Sequence, residues 1–135
     1  MAKPIALAKD TAFAFPNICN TTIPPAGPVP IPYPNIAQLS DASPVSDTGK
    51  ELLVKGTHVL LENSEVAESS GDEPADPNSG VVSGTKSKAC TMSEFSQSVF
   101  YNGKGIVRFG DQTSQNDGNA QGMILSAEPS VMVGD

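Results

Sequence analysis

Residues able to do covalent or metal chemistry are few in this chain, and none falls into a local motif that would put it to work. His58 is the single histidine in 135 residues, which excludes mechanisms needing a histidine pair and metal sites built on three imidazoles. His58, Asp72 and several serines supply the residue types of a Ser-His-Asp triad, yet no glycine-flanked nucleophile turn occurs. Beside a turn in an apolar run, His58 reads instead as a partly exposed hairpin residue. Ser83 and Lys86 match the spacing found in serine acyl-enzymes, but the companion motifs are missing and the chain is far shorter than that fold. Asp72, Glu73 and Asp76 gather carboxylates as a calcium loop does. Pro74 and Pro77 interrupt them, so the segment reads as a solvated acidic loop. Cys19 and Cys90 read as reduced thiols because no export signal precedes them, and the sequence does not say whether they meet. The glycosylation pattern at Asn20 carries no weight for the same reason.

The elements that must position these residues are strands and turns. Aromatics make up 5% of the chain and Gly and Pro number 12 each, so packing has to rely on Val, Ile, Leu and Ala between many turns, which disfavours a helical bundle. In "ELLVKGTHVLLEN" the runs 52–54 and 59–61 flank Lys55-Gly56-Thr57, and in "SVFYNGKGIVRFGD" the pair Asn102-Gly103 separates 99–101 from 106–108. Both predict β-hairpins and share one order of parts, as two copies of a building block would. Between them "SSGDEPADPNSGVVSGTKSK" predicts a loop held by turn chemistry around a short Val81-Val82 strand. Ser46 and Asp47 predict a single helical turn. Met123 to Leu125 predict one more strand before a frayed end.

A net charge of −7 argues against nucleic acid, since nothing here neutralises a run of phosphates. No stretch reaches the length of a membrane span, and Pro4, Lys9 and Asp10 break the apolar core a secretory signal needs. The chain is therefore expected to be made and to stay soluble in the cytoplasm unless other machinery exports it. One stretch stands apart: "PPAGPVPIPYPN", with six prolines between Pro24 and Asn35. Such a run suits a ligand for other modules, a stiff linker, or a rigid wall of a compact domain.

Several separated motifs bear on that choice: "FPNIC" (15–19), "GPVPIPYPNIAQ" (27–38), "SSGDE" (69–73), "GVVSG" (80–84), "NGKGIVRFGD" (102–111) and "QN" (115–116). In that order they resemble the PAAR-like tip proteins of type VI secretion systems and related contractile injection machines, the relatives that carry a PIPY motif. The resemblance covers about residues 13–119. It implies a mainly β, cone-shaped single domain over 1–135, built from short hairpins with long ordered loops. Residues 120–135 form a tail too short for a toxin domain.

The resemblance further implies a structural, non-enzymatic tip that caps a trimeric β-helical spike, one copy per trimer, by sheet stacking and edge complementarity. Such a tip would be monomeric alone, made in the bacterial cytoplasm and delivered outward into target cells. The alternative is a small effector or effector-adaptor binding domain delivered with the spike. A small hydrolase using Ser, His58 and Asp is a third reading, opposed by the lone histidine. The motif residues Pro30, Ile31, Pro32, Tyr33, Pro34, Asn35, Gly71, Asp72, Glu73, Asn102 and Gly103 are expected to be structural, with the proline run as a fixed wall. Family members hold zinc through three His and one Cys. Cys19 matches the cysteine, but Phe109 and Gln115 stand where two histidines are usual, so no cofactor is expected. If zinc is held, Cys19, His58 and Cys90 are the candidate ligands.

Overall fold

The computed structural model describes residues 2–43, 53–101 and 103–134. The helical turn expected at Ser46 and Asp47 lies outside the described residues, as does Asn102. The protein is mainly β, the class that composition and resemblance both imply. Its strands are β1 (Lys3–Ile5), β2 (Thr11–Ile23), β3 (Gly27–Gln38), β4 (Leu53–Val54), β5 (Thr57–His58), β6 (Glu65–Val66), β7 (Cys90–Met92), β8 (Phe100–Tyr101), β9 (Lys104–Gly105), β10 (Gln112–Gln115), β11 (Ala120–Ile124) and β12 (Glu128–Val133). Six of them form one antiparallel sheet in the order β3-β2-β11-β10-β7-β6. The others form three two-stranded ribbons, β12/β1, β4/β5 and β8/β9.

Alternation assigns the faces of the large sheet. Ala12, Ala37, Ile124, Val66, Cys90 and Met92 point inward and pack with Ala6, Leu39, Leu60 and Val107 in the larger core. A smaller core gathers Ile5, Leu7, Val59, Leu61, Ile106 and Val133. The continuous apolar runs are explained by this division. Val59 and Leu61 face the small core while Leu60 faces the large one, and Ile106 and Val107 divide likewise. An extended segment buried on both sides has no polar face to show.

The proline run is strand β3, paired with β2 from Ile23↔Gly27 to Thr11↔Gln38. It lies at the sheet edge. In an antiparallel strand, successive residues turn their N–H and C=O alternately toward the partner and away from it. The phase is fixed at one end by Ile36, whose N–H leaves the sheet to reach the Ser70 carbonyl at 2.8 Å. It is fixed at the other by Ile18, the partner of Pro32, whose carbonyl accepts from Val81 N–H on the far side of β2. Pro28, Pro30, Pro32 and Pro34 therefore all face away from β2, where a missing N–H breaks no ladder bond. Val29, Ile31 and Tyr33 bond β2 and turn their side chains inward, and Tyr33 OH meets Thr21 Oγ1 at 2.5 Å.

Two expectations need correction. Val81 and Val82 form a turn, not a strand, with both side chains exposed, because Asn119 Oδ1 accepts from Val82 N–H (2.8 Å) and Ser83 N–H (3.2 Å) and curls the backbone. The end of the chain is not frayed: β12 pairs with β1, Lys3 opposite Val133, and Val133 is buried. The edge of β3 offers no donors at its outward positions from 28 to 34, all of them proline.

Candidate partner-binding triangle and the buried Cys19 cluster

Three stretches of equal length, "IALAKDTA" (5–12), "VLLENSEV" (59–66) and "IVRFGDQT" (106–113), occupy equivalent places. Their second residues close a triangle: Ala6 N–H donates to Val107 O (3.0 Å), Val107 N–H to Leu60 O (3.1 Å), and Leu60 N–H to Ala6 O (3.3 Å). Two residues out, a second cycle runs in the opposite sense: Ala8 N–H to His58 O, Glu62 N–H to Gly105 O, and Phe109 N–H to Pro4 O, each at 2.8 Å. Each arm then turns on a side-chain cap. Leu7 N–H donates to Asp10 Oδ2 (2.8 Å), Leu61 N–H to Ser64 Oγ (2.9 Å), and Arg108 N–H to Asp111 Oδ2 (2.8 Å).

Each arm is preceded by one of the three ribbons: β12/β1, β4/β5 or β8/β9. The chain thus builds a three-fold pseudosymmetric unit from one polypeptide, broken where the arms leave for strands β2, β6 and β10 of a single sheet. Ile5, Val59 and Ile106, the first residues of the three arms, all belong to the small core. The third arm is reinforced by a buried ion pair, Arg108 Nε to Asp111 Oδ2 at 2.9 Å and Nη2 to Oδ1 at 2.9 Å, with Lys3 Nζ at 3.1 Å from Oδ1.

Away from the triangle, the loop 69–88 folds over the β2–β3 hairpin on a buried polar cluster. Asp72, wholly buried and not solvated as expected, accepts from Asn17 Nδ2 (2.8 Å), from Ser87 N–H (3.0 Å) and from the Ser87 hydroxyl. Asn17 Oδ1 accepts from Asn116 Nδ2 (3.2 Å) and Asn119 Nδ2 (2.6 Å). The Cys19 thiol lies among them, donating to Asn17 Oδ1 at 3.7 Å, with Asn116 Nδ2 and Asn119 Nδ2 directed at its sulfur from 3.9 and 3.8 Å. Burial pushes this thiol up and the Asp72 carboxylate pushes it further, while Ser79 and Lys86 act weakly the other way. Gln115 stands next to the cluster, donating to Asn35 O (3.0 Å) and Oδ1 (2.7 Å) and accepting from Phe13 N–H (3.2 Å).

The motif residues separate accordingly. Pro34 and Asn35 meet the 69–73 stretch: Asn35 Nδ2 donates to Ser69 Oγ at 2.9 Å, and a Cβ at Gly71, whose φ is +115°, would collide with the Pro34 carbonyl. Glu73 accepts from Gly71 N–H (2.8 Å), and Asp76 accepts from Thr22 N–H (3.0 Å) and Oγ1 (2.6 Å), so these carboxylates hold turns. Lys86 donates to the Glu73 and Ala75 carbonyls and does not serve Ser83. Gly103 supplies the positive φ of the β8–β9 turn.

Among the described residues, no three of His, Cys, Asp or Glu stand together as metal ligands. Cys19, His58 and Cys90 are not gathered into one site. His58 lies in ribbon β4/β5. Cys90 lies in the large core, its thiol pushed up to about 12 chiefly by burial. A zinc site of three His and one Cys does not fit this chain, which has one histidine and aims amide N–H groups at its cysteine sulfur, where a cation would need lone pairs. Phe109 takes no part in the cluster and sits exposed on an arm of the triangle.

Asn17 and Asn116 fall within the FPNIC and QN motifs, but their convergence with Asn119 on Cys19 was not read from the sequence, nor was the third arm of the triangle. The signal for the arm was present as the gapless eight-residue match above. A model of the toxin PAAR-like domain matches residues 10–122. The chain is also 32% identical over 116 residues to the DNase toxin Tse7 of Pseudomonas aeruginosa, a match covering 81% of this chain and 29% of that protein. It therefore spans less than a third of that relative's length. No solved structure matches it.

Proposed function

The chain belongs to the toxin PAAR-like domain family, the PAAR-like proteins of secretion systems, and from that premise we propose that it is a structural tip capping a trimeric spike of a type VI or related contractile injection machine. The observation that carries the proposal is the triangle of backbone hydrogen bonds among Ala6, Leu60 and Val107. A single chain that caps a three-fold partner needs three equivalent surfaces, one for each partner chain. Three arms with matching hydrogen bonds, each fed by its own ribbon, supply them within one monomer. The same geometry supports a stoichiometry of one copy per trimer, with further growth of the spike blocked.

A non-enzymatic role is supported by how the reactive side chains are used. Asp72 has its oxygens taken by Asn17 and Ser87, and Lys86 is held by two carbonyls. Groups locked in this way position loops. A second reading is favoured by the likeness to a protein named as a DNase toxin: the domain then serves to carry an effector out with the spike. The test is mass measurement of the protein mixed with the trimeric spike protein of its own machine. One copy per trimer is expected. Three copies per trimer, or no complex, removes the tip reading and promotes the second.

A further inference from the structure

The triangle has an exposed counterpart. In each ribbon, the residue two positions before the arm's central residue is Pro4, His58 or Gly105, and its partners in register are Met132, Leu53 and Phe100. These are the three large apolar side chains that the pseudosymmetry relates, and all are left in solvent to a similar degree, at 55, 41 and 52%. Their strands β12, β4 and β8 each have a single strand neighbour. Among the described residues the outer edges of all three therefore take no strand. An exposed large apolar residue needs no explanation when single, but the same chemistry at three equivalent positions does.

We propose that Leu53, Phe100 and Met132 are the apolar anchors of the triangle, one for each chain of a three-fold symmetric β-rich partner, whose edge strands lie along β4, β8 and β12. The inference rests on the spike-tip reading and adds to it the contact surface. A two-fold partner such as a second copy of this chain engages at most two of the three equivalent positions. A three-fold partner engages all of them with identical pockets. Apolar side chains beside open strand edges match a partner that offers main-chain pairing with side-chain pockets, and anchors of this size in pockets carry most of the energy of such contacts.

The experiment uses the full chain and the trimeric spike protein of its own machine. Leu53→Asp, Phe100→Asp and Met132→Asp are each expected to weaken binding by about tenfold or more, and by similar factors, while the circular dichroism spectrum stays that of the parent. A readout without substitution accompanies it. Met132 should oxidise readily with peroxide in the free protein and be protected in the complex, while Met123, exposed on the outer face of the large sheet, should oxidise equally in both. If the parent binds the spike protein but the three variants bind as well and Met132 stays open to oxidation, the anchor proposal fails and the tip reading stands. If the parent does not bind, both fail together.

Discussion

At the scale of single residues, the two thiols show how burial rewrites ordinary chemistry. Cys90 is pushed up to about 12, mainly by desolvation, and Cys19 is raised by burial and then by Asp72. An unfolded thiol ionises near about pH 8.5. As pH rises past that value the unfolded chain sheds its thiol protons while the native chain keeps them, so stability must fall as conditions become alkaline. The expected outcome is a urea midpoint that drops steadily from pH 8 to pH 10, with both thiols unreactive to iodoacetamide in the native protein at pH 8. Rapid alkylation without unfolding would contradict this assignment. Cys19 could be picked out from its FP..C context, but its neighbours could not. Asparagine favours turns and caps, and nothing in the spacing of Asn17, Asn116 and Asn119 announces that three amides converge on one sulfur.

At the scale of elements, the proline strand is the instructive case. Prolines at 28, 30, 32 and 34 are two apart, the period of a strand, yet proline is so foreign to paired strands that the spacing reads first as a wall or linker. Only an edge strand with its outward N–H groups deleted accommodates both facts. An unpaired edge of this length otherwise invites a second chain. Replacing Pro30 and Pro32 by Thr restores two outward donors without touching the ladder to β2. The double variant is expected to fold and to self-associate with rising concentration, its two new amides gaining hydrogen-exchange protection as it does. A variant that stays monomeric like the parent, or associates with those amides unprotected, would refute the edge argument. The triangle was half legible. Two hairpins were visible as copies because each is continuous, whereas the third ribbon joins β12 to β1 across the whole chain, and no local signal pairs segments so far apart. Class and turns follow from local chemistry, but closure of the triangle depends on long-range register.

At the scale of the whole molecule, the question is what holds the end where the loop 69–88 meets the long hairpin, since Cys19 there has no histidine beside it to share a metal ion. The Asn17–Asp72–Asn116–Asn119 cluster leaves none of its side-chain polar atoms among the buried ones without a partner, and a fully satisfied buried network fixes one arrangement because every alternative strands a donor or acceptor. Asp72 is its centre. Asp72→Ala would leave the buried Asn17 Nδ2 and the half-buried Ser87 N–H without acceptors, a cost of about 2–4 kcal/mol, which for a domain of this size lowers the melting temperature by about 10 °C. A metal-dependent end behaves differently, because there the binding energy of the ion is folding energy and a chelator releases it. The expected outcome is that EDTA leaves the melting temperature of the parent within about 1 °C, that zinc is well below one per chain by elemental analysis, and that Asp72→Ala alone produces the large drop. Stoichiometric zinc, or a chelator effect as large as that of the substitution, would mean that the cluster is not what closes this end. The same melting data bear on the triangle. If the two ends are held independently, Asp72→Ala should lower stability while leaving affinity for the trimeric spike protein unchanged, since Asp72 lies outside the arms and ribbons that the proposed contact uses.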